Sequence, residues 1–182
     1  MMCSSKAAVS RGESGFTLID LLFVIALIGL LSTLAIPGLM RARGAAQSVS
    51  ALGSMKVINS AQLSFAITCG YGFYSPDLQT LGKKPPKAAE AFLAPELSGG
   101  PTFIKSGYSF SMGGGPVPGA PASCNGLAAG ASSAGYALVA DPLDKTGRYF
   151  GTNADGTIFE DVGSYLLTMP ETGAPPGGTP IK

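Results

Sequence analysis

The chain has 182 residues, of which 46% are apolar, and its 12 Lys or Arg and 11 Asp or Glu give a net charge of +1. Soluble domains average about 25% charged residues, whereas only 13% are charged here, which indicates a protein built for an apolar neighbour. So small a net charge does not indicate that nucleic acid is a binding partner. The absence of His excludes Ser-His and Cys-His catalysis and histidine-bound metals.

The apolar residues are concentrated near the N-terminus. Residues 16–36 have the sequence FTLIDLLFVIALIGLLSTLAI, in which Asp20 is the one charge. At about 1.5 Å per residue this run would extend about 31 Å as a helix, which matches the hydrocarbon core of a bilayer. The preceding residues are polar and carry Lys6 and Arg11, so we expect them to stay in the cytoplasm and the rest of the chain to be exported.

Two simple descriptions of this run are incomplete. A secretory signal has a shorter apolar region followed by a small-residue cleavage motif, and this run continues into a helical pattern instead. A plain single-span anchor does not explain Asp20, because a carboxylate inside an apolar span costs several kcal/mol unless it is paired. An acid at this depth therefore indicates a specific partner.

The residues GFTLIDLL at 15–22, with Gly29 and Pro37 further along, resemble the class III signal and N-terminal helix of type IV pilins and of the related pseudopilins of type II secretion. The resemblance covers roughly the first 45 residues, and the later stretches YALVADP, GRYF and NADGTI look like parts of pilin heads. It implies that a prepilin peptidase cleaves between Gly15 and Phe16 and that Phe16 becomes N-methylated.

The resemblance also gives Asp20 a role in assembly. Family members usually carry Glu at this position, so the charge is kept here on a side chain shorter by one methylene. The implied role is an assembly ion pair, in which the acid neutralises the terminal ammonium of a neighbouring subunit in surroundings where an unpaired charge is expensive.

The function implied is that of a structural subunit of a type IV pilus. The chain would cross the inner membrane once with a cytoplasmic N-terminus, and the pilus assembly machinery would then polymerise it, with identical or related subunits, into an extracellular filament used in adhesion or motility. One alternative is a minor pilin or a pseudopilin of a periplasmic secretion filament. A second alternative is a membrane-tethered periplasmic binding domain that never polymerises.

The expected fold class is α+β, with a long N-terminal helix packed on a small antiparallel sheet, as in pilins. Pro37 removes a backbone donor, so we expect a helix kink there or a melted stretch around residues 34–38. The expected organisation has five parts: a leader at 1–15, an apolar helix half at 16–38, an amphipathic helix half at 39–69, a globular head at 70–169, and a flexible tail at 170–182.

The amphipathic half has two apolar faces, which predicts two partners, the sheet of its own head and helices of neighbouring subunits. A helix buried in a small core is the alternative, since it would show a similar pattern. One face holds Ala51, Met55, Ile58 and Phe65. The opposite face holds residues that recur at near-heptad spacing: Ala42, Ala45, Val49, Leu52 and Leu63.

In the head, Ser75 as N-cap with Pro76 at the first helical position predicts a short helix ending at Leu81, and residues 87–93 predict another. Alternating or β-branched stretches predict three or four antiparallel strands, and the sequence NADG at 153–156 is a hairpin signal. The Gly/Pro-rich segment 113–130 is expected to be loop. The predicted strands cover residues 107–112, 135–140, 148–152 and 157–161.

The three cysteines have different expected fates. Cys3 lies in the leader and is removed with it. Cys69 and Cys124 would be exported into an oxidising compartment, where a pair of cysteines favours a disulfide over metal or redox chemistry. On the chain-entropy model, closing a loop of about 55 residues contributes about 4 kcal/mol.

The remaining polar clusters do not indicate chemistry. The acids of the 141–161 segment faintly resemble a calcium loop, but their spacing is not that of an EF-hand, and turn or cap roles are the better interpretation. Lys83, Lys84 and Lys87 are expected to form a solvated loop, and a contact with DNA or lipid is the minority interpretation. We expect no enzymatic activity, no metal and no cofactor.

Overall fold

The computed structural model describes residues 16–181. The chain divides into two compact units, with the boundary between Ala42 and Arg43, and each is described by itself. The leader, with Cys3 and Gly15, lies outside the described residues.

One helix, α1, extends over Leu18–Thr68. It contains Pro37 and remains helical on both sides of it, so a melted stretch is not observed, and a kink at Pro37 stays a prediction. In the turns before Pro37 the hydroxyls of Ser32 and Thr33 donate to the carbonyl oxygens of Ile28 and Leu30, at 2.8 and 2.7 Å. These bonds satisfy polar side chains within the apolar stretch.

The second unit contains a six-stranded antiparallel sheet whose strands lie in chain order. All four predicted strands are confirmed within two residues at each end, and β4 and β5 form the hairpin that NADG predicted. The α+β class is therefore confirmed, with two strands more than expected. The strands are β1 Thr102–Lys105, β2 Tyr108–Gly113, β3 Ala137–Pro142, β4 Tyr149–Asn153, β5 Ile158–Asp161 and β6 Thr179–Pro180.

Strand β1 was not predicted because it is only four residues long and follows a Gly/Pro-rich stretch. It pairs with β2 through a two-residue turn, Ser106 and Gly107, whose φ angles are 50° and 79°. Positive φ at both central residues is the condition for the type I′ turn that suits the right-handed twist of hairpins. Ser-Gly is a weaker signal for this turn than Asn-Gly.

The C-terminal segment differs from the expected flexible tail. Strand β6 pairs with β5, and the Ile181 N–H donates to the Ile158 oxygen at 2.8 Å. Upstream, a Glu171 carboxylate oxygen accepts from the Gly115 N–H at 2.5 Å. The Gly/Pro-rich composition correctly predicts little regular structure in this segment. It cannot predict that β5, which would otherwise be the edge strand of the sheet, offers backbone N–H and C=O groups with which the segment pairs.

The core lies between the second half of α1 and one face of the sheet. Of the two apolar faces of the amphipathic half, the one that holds Ala51, Met55, Ile58 and Phe65 is the buried one, a choice that the sequence had left open. Three side chains that face them from the sheet are also fully buried, namely Phe110, Leu138 and Phe150.

Two short helices follow α1 in the second unit. Helix α2, Leu78–Leu81, ends as predicted but begins two residues later than expected, because its N-cap is Asp77 and not Ser75. The Asp77 side chain accepts from the Thr80 N–H at 2.7 Å. The helix predicted at residues 87–93 is wrong, because the short helix α3 lies at Pro95–Ser98 instead. Pro at the first helical position starts α3 at Pro95.

The adjacent residues Ile58 and Val57 allow a matched test of this packing. Ile58 is fully buried and Val57 is 52% exposed. We expect Ile58→Ala to lower the free energy of unfolding of the head by about 2–5 kcal/mol, because it leaves a cavity, and Val57→Ala by less than about 0.5 kcal/mol. Denaturant unfolding of the full chain in detergent, followed by circular dichroism, measures both. Equal effects would contradict the assignment of the two faces.

Candidate functional site

The first half of α1 has no apolar cover within its own unit. Its large apolar side chains between Leu18 and Met40 are all exposed, and the helix is long and apolar enough to span a membrane. Leu, Ile, Val and Phe occur around its whole circumference, unlike in a surface helix, which has one apolar stripe. This segment therefore requires lipid or protein on all sides.

At the start of this segment the carboxylate of Asp20 is joined to Thr17. The Thr17 N–H donates to Asp20 Oδ2 at 3.2 Å, the Asp20 N–H donates to Thr17 Oγ1 at 3.3 Å, and the Thr17 hydroxyl also donates to Oδ2. This reciprocal arrangement is a capping box, which satisfies backbone donors that the first helical turn leaves free. This role of Thr17 was not predicted, although the pattern T-x-x-D before an apolar run could have revealed it.

The two predicted processing residues stand at the edge of the described chain. Phe16 directly precedes the capping box and is 89% exposed, and Gly15 lies outside the described residues. Asp20 is four residues beyond Phe16. The acid therefore lies in the first turn of α1, four residues beyond the residue predicted to carry the mature amine.

In the second half of α1, the face opposite the core carries an exposed apolar strip. We define the strip as Val49, Val57, Leu63 and Ile67, which are between 52% and 72% exposed. Ala42 and Ala45, which were predicted for this face, are exposed as well, whereas Leu52 packs partly against the core. Lys56 is the one charged residue between positions 44 and 68.

A shallow groove lies beside this strip. Its volume is about 390 Å³. Phe92 forms one wall and meets Phe65 edge to face, with ring centroids 5.5 Å apart. The remaining lining combines apolar and small polar side chains with one cation, namely Lys56, Val57, Ser60, Ala61 and Ser64.

The disulfide between Cys69 and Cys124 is present, as predicted. It joins residues 55 apart, with a Cα–Cα distance of 4.9 Å. The Cys124 N–H also donates to the Cys69 oxygen at 3.2 Å, and the Asn125 side chain donates to the Thr80 oxygen at 2.7 Å. The Gly/Pro-rich segment is thus tied to the end of α1 and to α2.

Gln62 is a buried link that was not predicted from the sequence. Its side chain accepts from the Ser75 N–H at 2.9 Å and donates to the Ser75 oxygen at 2.8 Å. A fully buried amide needs such partners, since an unsatisfied one costs about 1–3 kcal/mol. Its position in register with Ile58 and Phe65 on the core face was a signal that could have revealed it.

A second polar link joins α1 to the sheet. The Tyr136 hydroxyl donates to Asn59 Oδ1 at 3.0 Å, and Asn59 Nδ2 donates to Thr152 Oγ1 at 3.1 Å. Burial raises the pKa of Tyr136 well above its usual value, and the nearby Tyr74 adds to the shift. The phenol is therefore held in its neutral, donating form.

The acids of the 141–161 segment are spread over turns and pairs. Asp141 accepts from the Ser164 hydroxyl at 2.6 Å, Asp155 accepts from the Gly173 N–H at 2.7 Å, and Glu160 forms an ion pair with Arg148 at 2.7 Å. Within residues 16–181, no three acids or cysteines are grouped as metal ligands. Two further members of the segment have local roles: the Asp144 side chain accepts from the Thr146 N–H, and the Asn153 side chain from the Asp155 N–H.

The lysine cluster lies on an exposed loop, as expected. The side chains of Lys83, Lys84 and Lys87 are all exposed. The Lys83 backbone oxygen accepts weakly from Asn125 at 3.4 Å.

Comparison with known proteins returns no assignment. No protein-family model, curated protein or solved structure matches the chain at a significant level. The described geometry is a long N-terminal apolar helix whose second half packs on an antiparallel sheet, and this is compatible with a pilin-like fold.

The disulfide makes a prediction about stability. Cys124→Ser frees the 55-residue loop, and we expect it to lower the free energy of unfolding of the head by about 2–4 kcal/mol. The Gly/Pro-rich segment then loses its covalent tie to the end of α1. Denaturant unfolding, with Ala122→Ser as a control in the same exposed loop, measures the loss. An unchanged midpoint would contradict a structural role for the bond.

The buried phenol makes a prediction about pH. Because the pKa of Tyr136 is raised by folding, its contribution to stability is fully present below the unfolded value near 10 and is lost as the pH rises through the folded pKa. We expect the free energy of unfolding to fall above about pH 10 and Tyr136→Phe to weaken that fall, at a cost of about 1 kcal/mol at neutral pH. Tyr71→Phe, at a tyrosine that is 72% exposed, is the control. Identical pH curves for the parent and Tyr136→Phe would contradict this.

Proposed function

We propose that this chain is a subunit of a type IV pilus or a related filament, inserted in the inner membrane, cleaved after Gly15 and polymerised through α1. The observation that supports this most is the distribution of apolar surface along α1. Its first half is apolar and exposed all round, and its second half exposes a further apolar strip opposite the core. Two uncovered surfaces on one helix are suited to packing against other copies of this chain.

A membrane-tethered binding domain accounts for only part of this surface. A lipid bilayer covers the first half of α1 and so explains its exposure. The strip from Val49 to Ile67 belongs to the unit that contains the head, where a tethered soluble domain gains nothing from four exposed aliphatic side chains and a single lysine. Packing against other protein chains would cover the strip as well as the first half of α1, so it accounts for both exposed surfaces.

The position of Asp20 adds a second line of support. A passive anchor is destabilised by an acid in its span, whereas a subunit that must neutralise the amine of Phe16 requires one. The capping box presents the carboxylate at the first turn of α1, close in sequence to that amine. In the apolar centre of a filament an ammonium without an acid would cost several kcal/mol for each subunit.

Substitution of Asp20 tests the proposal. We expect Asp20→Ala to reach the membrane at the level of the parent and to assemble into few or no filaments, because it leaves the Phe16 amine without a counter-charge. Asp20→Glu keeps the charge and should assemble. Thr17→Val, which removes the hydroxyl of the capping box and retains the acid, separates capping from charge and should reduce assembly less than Asp20→Ala.

The measurement is the amount of filament sheared from cells, with membrane levels matched by immunoblot. Mass analysis of the N-terminal peptide in each variant shows whether processing is intact, with methylated Phe16 as the expected terminus. Filaments of Asp20→Ala at the yield of the parent would overturn the ion-pair mechanism. Surface material that begins at Met1 would overturn the proposed processing.

A further inference from the structure

A second exposed apolar surface lies on the sheet side of the head. We call residues 161–167 the apolar loop. Val162, Leu166 and Leu167 are 90%, 60% and 95% exposed, which leaves three large aliphatic side chains of one seven-residue segment in water. A cluster of this kind on one short loop marks an interaction surface more often than isolated apolar residues do.

The apolar loop is held in place by the residues between its exposed side chains. Tyr165 is buried, and its backbone oxygen accepts from the N–H groups of Thr168 and Met169 at 3.0 and 2.9 Å. The Ser164 hydroxyl donates to Asp141 on β3 at 2.6 Å. The exposed side chains are therefore presented by an ordered support, which lowers the entropy lost when they bind a partner.

The charges of the apolar loop and of the groove beside Lys56 are complementary. Residues 160–171 contain three acids, Glu160, Asp161 and Glu171, and no base. Glu160 forms its ion pair with Arg148, which lines the same pocket as Asp161. Asp161 lies at the start of the apolar loop, where its Oδ1 accepts from the Val162 N–H at 2.6 Å. The groove has the opposite character, since Lys56 is its one charge and Val57 and Phe92 supply apolar walls.

We infer that the apolar loop of one copy of this chain docks in the groove beside Lys56 of a second copy, with Leu167 against Val57 and Phe92 and with Asp161 paired with Lys56. The two surfaces differ, so the contact is heterologous, and repeated contacts of this type build an open helical polymer instead of a closed dimer. This inference rests on the proposed function and adds to it a contact between the head of one copy and the second half of α1 of the next copy.

Crosslinking between two different variants tests the contact. Val57→Cys and Leu167→Cys are expressed together in full-length chains, and filaments are sheared and oxidised. We expect a crosslinked dimer on non-reducing gels. The control pairs Val57→Cys with Ile104→Cys, at a residue that is 67% exposed on β1, the opposite edge of the sheet, and should give none.

Charge reversal provides a second arm. Lys56→Glu and Asp161→Lys each place like charges together and should lower filament yield by about fivefold, and combining them should restore it. Filaments that form from the parent without the specific crosslink, or that crosslink equally in the Ile104 control, overturn this contact and leave the proposed function standing. Failure of the double variant to recover also overturns it. A parent that forms no filaments overturns both.

Discussion

Helix α1 packs against the sheet of its own head on one face, and its remaining apolar surface needs lipid or protein. The arrangement of the head depends on this double requirement. Between Ala51 and Phe65, α1 buries one face against the sheet, which covers only about half of its circumference. The opposite face and the whole first half of the helix keep their aliphatic side chains exposed. Apolar surface of this extent has a large free-energy cost in water, so a lipid or protein partner is needed to cover it.

The head is built to hold that helix in one orientation. The Cys69–Cys124 disulfide ties the end of α1 to the Gly/Pro-rich segment, and the amide of Gln62 ties its middle to Ser75. Asn59 adds a third link to the sheet through Tyr136. These contacts all lie on the core side of α1, so they fix the rotation of the helix without covering its exposed strip. A fixed strip is what a repeating contact between copies requires.

Sequence reasoning succeeded where a pattern is periodic or a residue type is restrictive. The 3.6-residue period grouped Ala51, Met55, Ile58 and Phe65, which are all buried, and the expected export of Cys69 and Cys124 predicted their disulfide. It failed where the deciding factor is a distant partner. Strand β6 depends on the open edge of β5, and the apolar loop depends on Tyr165 packing over the sheet, which no local pattern encodes. The capping box at Thr17 does have a local sequence pattern, T-x-x-D. It was missed because the charge of Asp20 was interpreted only as an assembly group.

The most direct measurement of the central claim is the chemical accessibility of the exposed strip before and after assembly. Leu63→Cys places a thiol on the strip, and Ala129→Cys places one in the exposed Gly/Pro-rich loop. In detergent-solubilised monomer both thiols should react with a water-soluble maleimide. In sheared surface filaments the thiol at position 63 should be protected and the thiol at position 129 should still react. Equal labelling of position 63 in both states would contradict polymerisation through α1.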